Sequence, residues 1–188
     1  MHERREPGLR HGPIAARRAT RRPRPQAGGL TRVLALALLM ALALASVGCG
    51  GPLGPFAGGR LRGELGPPLV ADWSFASAEK TLALETCPAD PHSVQVWFAA
   101  IGSRLYVPSS MIAGAKDPSE RRWVRCLEED PRVRLRVGGV IFERRAVRIE
   151  DPAEYEAARA ALEARHGLDP LDRDADRTVW IYRLSSRS

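Results

Sequence analysis

Three cysteines, a histidine in a turn and an acidic loop are the residues of this sequence whose types and spacing could do chemistry. Cys49, Cys87 and Cys126 form no Cys-x-x-Cys pair, so a structural zinc is not expected. A thiol nucleophile would need a base beside it. His92 is the only histidine near either later cysteine in sequence, and the spacing favours an ordinary turn residue. Asp169, Asp172, Asp174 and Asp176 alternate in the manner of a calcium loop, without the glycine and closing glutamate such a loop needs. A solvated loop and no metal are expected there.

Cys49 has a different setting. Arg32 precedes an uncharged apolar run that ends in Ser46-Val47-Gly48-Cys49. The run is too short to span a bilayer comfortably. A basic flank, an apolar core, small residues and a cut form the layout of a secretory signal. The closing cysteine matches a bacterial lipobox, with Ser46 where leucine is usual. Residues 33–49 therefore read as a signal-peptide core with lipidation at Cys49. The expected location is the bacterial cell envelope, with the protein lipid-anchored and its domain on the periplasmic or extracellular side. Thr20-Arg21-Arg22 also raises a twin-arginine export route, although Pro23-Arg24-Pro25 departs from that pattern. In such an oxidising compartment Cys87 and Cys126 either pair as a disulfide or stay as two buried thiols.

The charge balance follows the same division. The formal net charge is +7, but residues 1–49 hold nine Arg against two Glu, and residues 50–188 hold 20 basic and 20 acidic residues. The excess sits in a basic, disordered leader over 1–32 and not in the domain. No nucleic-acid partner is expected, despite the basic composition. Residues 50–68 are rich in Gly and Pro and read as a tether. One domain with one core follows over 69–188.

The elements that must position any site are mostly strands. Lys80–Glu85 alternates as a short strand, and the prolines of Cys87–Pro91 make a turn. Ser93–Ala100 and Arg104–Pro108 make a hairpin, with Val94, Val96 and Phe98 on one face and Gln95 and Trp97 on the other. Ser119 is expected to cap a helix through Glu129 that Asp130-Pro131 stops. Gly138-Gly139 joins Val133–Val137 to Val140–Ile149 as a tight turn. Asp151 and Glu154 make a capping box for a second helix that Gly167 ends. Thr178–Leu184 is a last strand. The fold class is mainly β with two helices (α+β): a small barrel of about six antiparallel strands.

The blocks SVQVWFAAIGSRLYVPSS, ERRWVRCLEEDPRVRLRVGG and VIFERRAVRI together resemble the split β-barrel flavin-binding superfamily. That group includes pyridoxamine phosphate oxidase-like proteins, and the nearer branch is the deazaflavin-dependent nitroreductase-like one. Trp123, Leu127, Asp130-Pro131, Val133, Val137 and Gly138-Gly139 hold the branch's pattern, with Cys126 where asparagine is usual.

The resemblance implies FMN or a deazaflavin (coenzyme F-420) at the barrel surface, commonly in a homodimer. Carried over by position, its phosphate would lie near Val107, Pro108, Ser109 and Ser110, then Arg121, Arg122 and Trp123. Hydroxyls, guanidinium groups and a helix N-terminus suit an anion, and Trp123 could cover a ring. The turn 86–92 departs from the group: it holds Asp90 and no Arg or Lys, which leaves a different cofactor or none open. The function implied is a membrane-tethered flavin- or deazaflavin-dependent oxidoreductase that passes hydride to a small substrate. The alternative is a non-catalytic split-barrel lipoprotein that binds a cofactor, a ligand or a protein partner.

Overall fold

The computed structural model describes residues 50–187. The leader 1–32 and the apolar run 33–49 with Cys49 lie outside the described residues.

Seven strands alternate with two α-helices: β1 Thr81–Thr86, β2 His92–Trp97, β3 Ala99–Ile101, β4 Arg104–Pro108, α1 Arg122–Glu129, β5 Arg132–Val137, β6 Val140–Arg148, α2 Pro152–His166 and β7 Ile181–Ser186. All pairings are antiparallel, in the order β2-β1-β5-β6-β7-β4-β3. The sheet curls until β2 touches β4, leaving a barrel that is nearly closed. Its interior is filled from successive strands by Leu82, Leu84, Val96, Leu105, Val107, Leu135 and Leu184. The result is an α+β fold with a seven-stranded antiparallel sheet and two helices.

The expected strand 93–100 is two strands. The chain breaks at Phe98, whose side chain is 1% exposed in the core. Before it β2 pairs with β1, and after it β3 pairs with β4. Alternation runs through the break, so periodicity alone shows one strand. The Gly138-Gly139 turn forms as expected, with φ of 61° and 75°. Only glycine takes two such angles in succession without strain.

The second helix is capped as expected, with Asp151 Oδ1 accepting from the Glu154 amide at 2.7 Å. Glu154 does not reach back to complete the box. Its carboxylate accepts from Tyr106 Oη at 2.9 Å and from Arg183 Nη1 at 2.7 Å, tying α2 to the sheet. The first helix starts later than expected. Asp117, and not Ser119, turns the chain: its carboxylate accepts from the Ser119 amide at 2.8 Å, a single 3-10 turn follows, and α1 begins at Arg122.

Residues 50–66, expected to be part of a tether, lie along the outer face of β1, β5 and β6. Gly58 and Ser93 exchange two backbone hydrogen bonds of 2.8 Å, and Ile141 bonds to Glu64 and Gly66 at 2.8 Å each. Leu61 is 1% exposed between Ala83 and Ile141. A Cβ on Gly58 would lie 2.2 Å from the backbone of Gly51, so glycine is what lets this strap fold back on itself. The composition that suggests flexibility serves close backbone approach here.

Candidate functional site

A cleft of about 370 Å3 opens between β2, the loop after β4 and the start of α1. It falls at the lower end of the size range of small-molecule sites. Pro108, Ser109, Ser110, Arg121 and Trp123 all line it, so five of the seven positions implied by the resemblance meet in one place. Gln95 and Trp97 of β2 form the opposite wall, and Pro55 and Phe56 of the strap stand at one side. Val107 and Arg122 are elsewhere. Val107 is fully buried in the core, where the pleat of β4 turns it inward. Arg122 is exposed and donates to Asp90 Oδ2 at 2.6 Å.

That ion pair bears on the turn between β1 and β2. Asp90 faces Arg122, so the turn's acid and the helix's second arginine neutralise each other. Beside them Cys87 and Cys126 form a disulfide with a Cα–Cα distance of 5.2 Å. Of the two alternatives open in the sequence, the structure has the pair. The bridge and the ion pair together clamp the turn onto α1. His92, at the start of β2, has its pKa held below the usual histidine value, first by burial and then by Arg122, with Asp90 opposing.

The two serines are held by the protein itself. Ser109 Oγ accepts from the Trp180 amide at 2.9 Å, and Ser110 Oγ donates to the Ala113 carbonyl. They shape the loop, and the charged donors come from arginine.

Arg121 Nη2 donates to the Ala113 carbonyl at 2.6 Å, while its buried Nε has no partner. No carboxylate pairs with Arg121 among the described residues. Arg177, from the segment before β7, reaches the same loop. Its Nη1 donates to the Ala115 carbonyl at 3.1 Å and to Ser110 Oγ at 3.4 Å. Its side chain is 7% exposed, with Asp174 at 3.6 Å. Burial, and then the positive charge of Arg177, pull the Arg121 pKa below the ordinary arginine value. A half-buried and a buried guanidinium against one partly exposed carboxylate make an electropositive corner. A bound anion would relieve it.

Arg177 had no signal in the sequence. It sits at the end of an Asp-rich stretch that reads as a solvated loop, and only the fold brings it to Ser110.

The walls are aromatic. Trp123 is 4% exposed and meets Tyr182 edge-on at 6.1 Å, so it is a core residue with one side on the cleft. Trp97 stacks on His166 with centroids 4.2 Å apart. His166 also contacts the Phe98 carbonyl at 3.2 Å, which fixes the ring that fixes Trp97. The acidic loop 169–176 makes surface ion pairs, such as Lys116 to Asp174 at 3.3 Å. No cluster of metal-ligating side chains occurs among the described residues.

An electropositive corner beside aromatic walls fits a planar cofactor that carries phosphate. The lining holds no aspartate, glutamate, histidine, lysine or tyrosine, so it offers no obvious proton donor or base.

No family model matches the sequence. No curated protein matches it either. Several solved structures are similar to part of it, three of which follow. A candidate pyridoxamine 5'-phosphate oxidase from Listeria innocua shares 15% identity over 61% of this chain and 90% of its own, with a TM-score of 0.47. A conserved hypothetical protein from Mycobacterium tuberculosis shares 20% identity over 66% of this chain and 86% of its own, with a TM-score of 0.47. A FAD-binding protein from Mesorhizobium loti shares 16% identity over 61% of this chain and 84% of its own, with a TM-score of 0.42.

Proposed function

We propose that the cleft holds a flavin or deazaflavin, FMN or coenzyme F-420, and that the protein is a membrane-tethered oxidoreductase acting on a small substrate. The observation that carries this reading is Arg121: a half-buried side chain with a buried, unpartnered Nε, no carboxylate partner among the described residues, and Arg177 beside it. Arg121 would hold the cofactor's phosphate, with the positive charge of Arg177 behind the loop adding to the field. Trp97 and Trp123 would flank its ring, and Pro55 and Phe56 would shield one side from water. When bound, such a cofactor supplies hydride-transfer chemistry itself, and the protein supplies position and field. A homodimer is part of the proposal, as is a lipid on Cys49. The packed strap supports close apposition to a membrane, because its first hydrogen bonds to the barrel, at Gly58, come only about nine residues after Cys49. The disulfide supports an oxidising compartment.

A second reading is favoured by the lining's lack of any acid or base: a split barrel that carries the cofactor or another anionic ligand without turnover. The two separate by experiment. Full-length protein in detergent is titrated with FMN and with coenzyme F-420, and the reduced, loaded protein is then offered electron acceptors. Binding with turnover supports the oxidoreductase. Binding without turnover supports the carrier, and no binding of either cofactor defeats the oxidoreductase and leaves the second reading only with another anionic ligand.

A further inference from the structure

Arg144 lies on β6 between Phe142 and Ala146 and turns into one end of the barrel, where it is 2% exposed. Its guanidinium lies over the rings of Trp73 and Phe142, 5.4 Å from each centroid. Its hydrogen bond is to a backbone carbonyl, that of Glu143 at 2.8 Å. No carboxylate pairs with it among the described residues. Burial lowers its pKa from the ordinary arginine value, and no neighbouring acid opposes that effect. Aromatic faces return only part of the cost of removing a guanidinium from water.

The surroundings add positive charge instead of cancelling it. Arg144 opens onto a cleft of about 380 Å3 that Arg104 and Arg183 also line. Those two share one acid: Arg183 donates to Glu154 at 2.7 Å, and Arg104 lies 3.5 Å from it. Glu154 is not part of the lining. Ser103 and Ser185 add polar groups, and Trp73, Val70 and Leu184 give the cleft an apolar wall. Its lining shares no residue with that of the Arg121 cleft.

We infer that this barrel mouth is a second binding site, built for a small molecule bearing an oxyanion, carboxylate or phosphate, with an apolar portion that rests on Trp73. Arg144 is the central contact, Arg104 and Arg183 form a basic rim, and the exposed Leu69 marks the way in. The inference does not depend on the cofactor proposal.

The thermal unfolding midpoint of the full chain tests it, with ionic strength held constant by sodium chloride. Inorganic phosphate and hexanoate are the two probes, and Arg144→Met, Arg104→Gln and Arg121→Gln are the variants. At least one probe should raise the wild-type midpoint in a saturable way. Phosphate alone would identify a phosphate site, and hexanoate alone a carboxylate site. The response should persist in Arg121→Gln, which touches only the other cleft. In Arg144→Met the hexanoate response should vanish and the phosphate response should fall to whatever the Arg121 corner contributes, while the variant's own midpoint stays equal to or above wild type because an unpaired buried charge is gone. Arg104→Gln alters an exposed side chain, and it should weaken the apparent affinity by about tenfold, the worth of one charged hydrogen bond. This variant keeps the test valid if Arg144→Met does not fold. A wild-type midpoint that ignores both probes would overturn the inference. So would a response unchanged in Arg144→Met and Arg104→Gln, or one lost in Arg121→Gln.

Discussion

Ser109 and Trp180 hold each other by a reciprocal pair of hydrogen bonds: the Ser109 amide donates to the Trp180 carbonyl at 2.7 Å, and the Trp180 amide donates to Ser109 Oγ at 2.9 Å. The pair continues the β4–β7 ladder one step past the last paired residues, Pro108 and Ile181. A side chain stands in for a backbone group there, and the loop that forms the floor of the cleft departs from that fixed point. Ser109 is 4% exposed, so its role is to anchor the floor.

Ser109→Ala should therefore cost about 1–3 kcal/mol of stability, the penalty for a partly buried amide left without an acceptor. Urea unfolding measures it. Ser110→Ala, at the more exposed neighbour, should cost less.

The disulfide between Cys87 and Cys126 closes a sequence separation of 39 residues. The chain-entropy model assigns such a loop about 4 kcal/mol. Reduction, or a Cys87→Ser, Cys126→Ser double substitution, should lower the urea midpoint accordingly and free the turn between β1 and β2. Faster amide exchange at residues 87–91 would report that release. An unchanged midpoint would mean that the Arg122–Asp90 pair and the packing of α1 suffice.

Two adjacent arginines should behave differently. Arg121 lines the cleft and has no carboxylate partner among the described residues, whereas Arg122 is exposed and paired with Asp90. Arg121→Gln should reduce cofactor affinity by about tenfold or more, as the loss of a charged hydrogen bond implies. Arg122→Gln should change it by less than about threefold, since an exposed ion pair contributes about 1 kcal/mol or less. Absorbance titration of both variants checks the contrast.

Acid sensitivity has a local source at the end of α1. Asp130 takes hydrogen bonds of 2.9 Å from Arg132 Nε and 3.0 Å from the Arg132 amide. These hold its pKa down at about 2, from an ordinary value of 3.8. A carboxylate depressed in the folded state adds stability that is fully present above its unfolded pKa and is lost as pH falls through its folded one. The contribution of Asp130 should thus be present at neutral pH and fade between about pH 4 and pH 2. Asp130→Asn should flatten stability against pH in that window and leave the curve above pH 5 parallel to wild type.

Local chemistry was the legible part of this chain. Gly138-Gly139 and Asp151 declare a turn and a cap because each acts within four residues of itself. The alternation of β5 and β6 shows directly which residues fill the barrel. The break at Phe98 was hidden, because a strand that changes partners keeps its period. The strap was hidden by its own glycines, whose value lies in contacts with Ser93 and Ile141 far along the chain. In the site, positions 108–110, 121 and 123 came from a resemblance and meet at one cleft. Arg177 and Arg144 could not be found that way. Each looks like a surface charge in sequence, and each becomes informative only through where the fold puts it: Arg177 against the loop of Ser110, and Arg144 in the barrel mouth with no carboxylate partner among the described residues.

The most direct test of the central claim is a visible absorbance titration of the full-length protein with FMN and with coenzyme F-420, run beside Arg121→Gln. The account predicts saturable binding of one of them, with its visible band perturbed by Trp97 and Trp123, and loss of that binding in the variant. If neither cofactor binds, or if binding is indifferent to Arg121, the cleft is not the cofactor site described here.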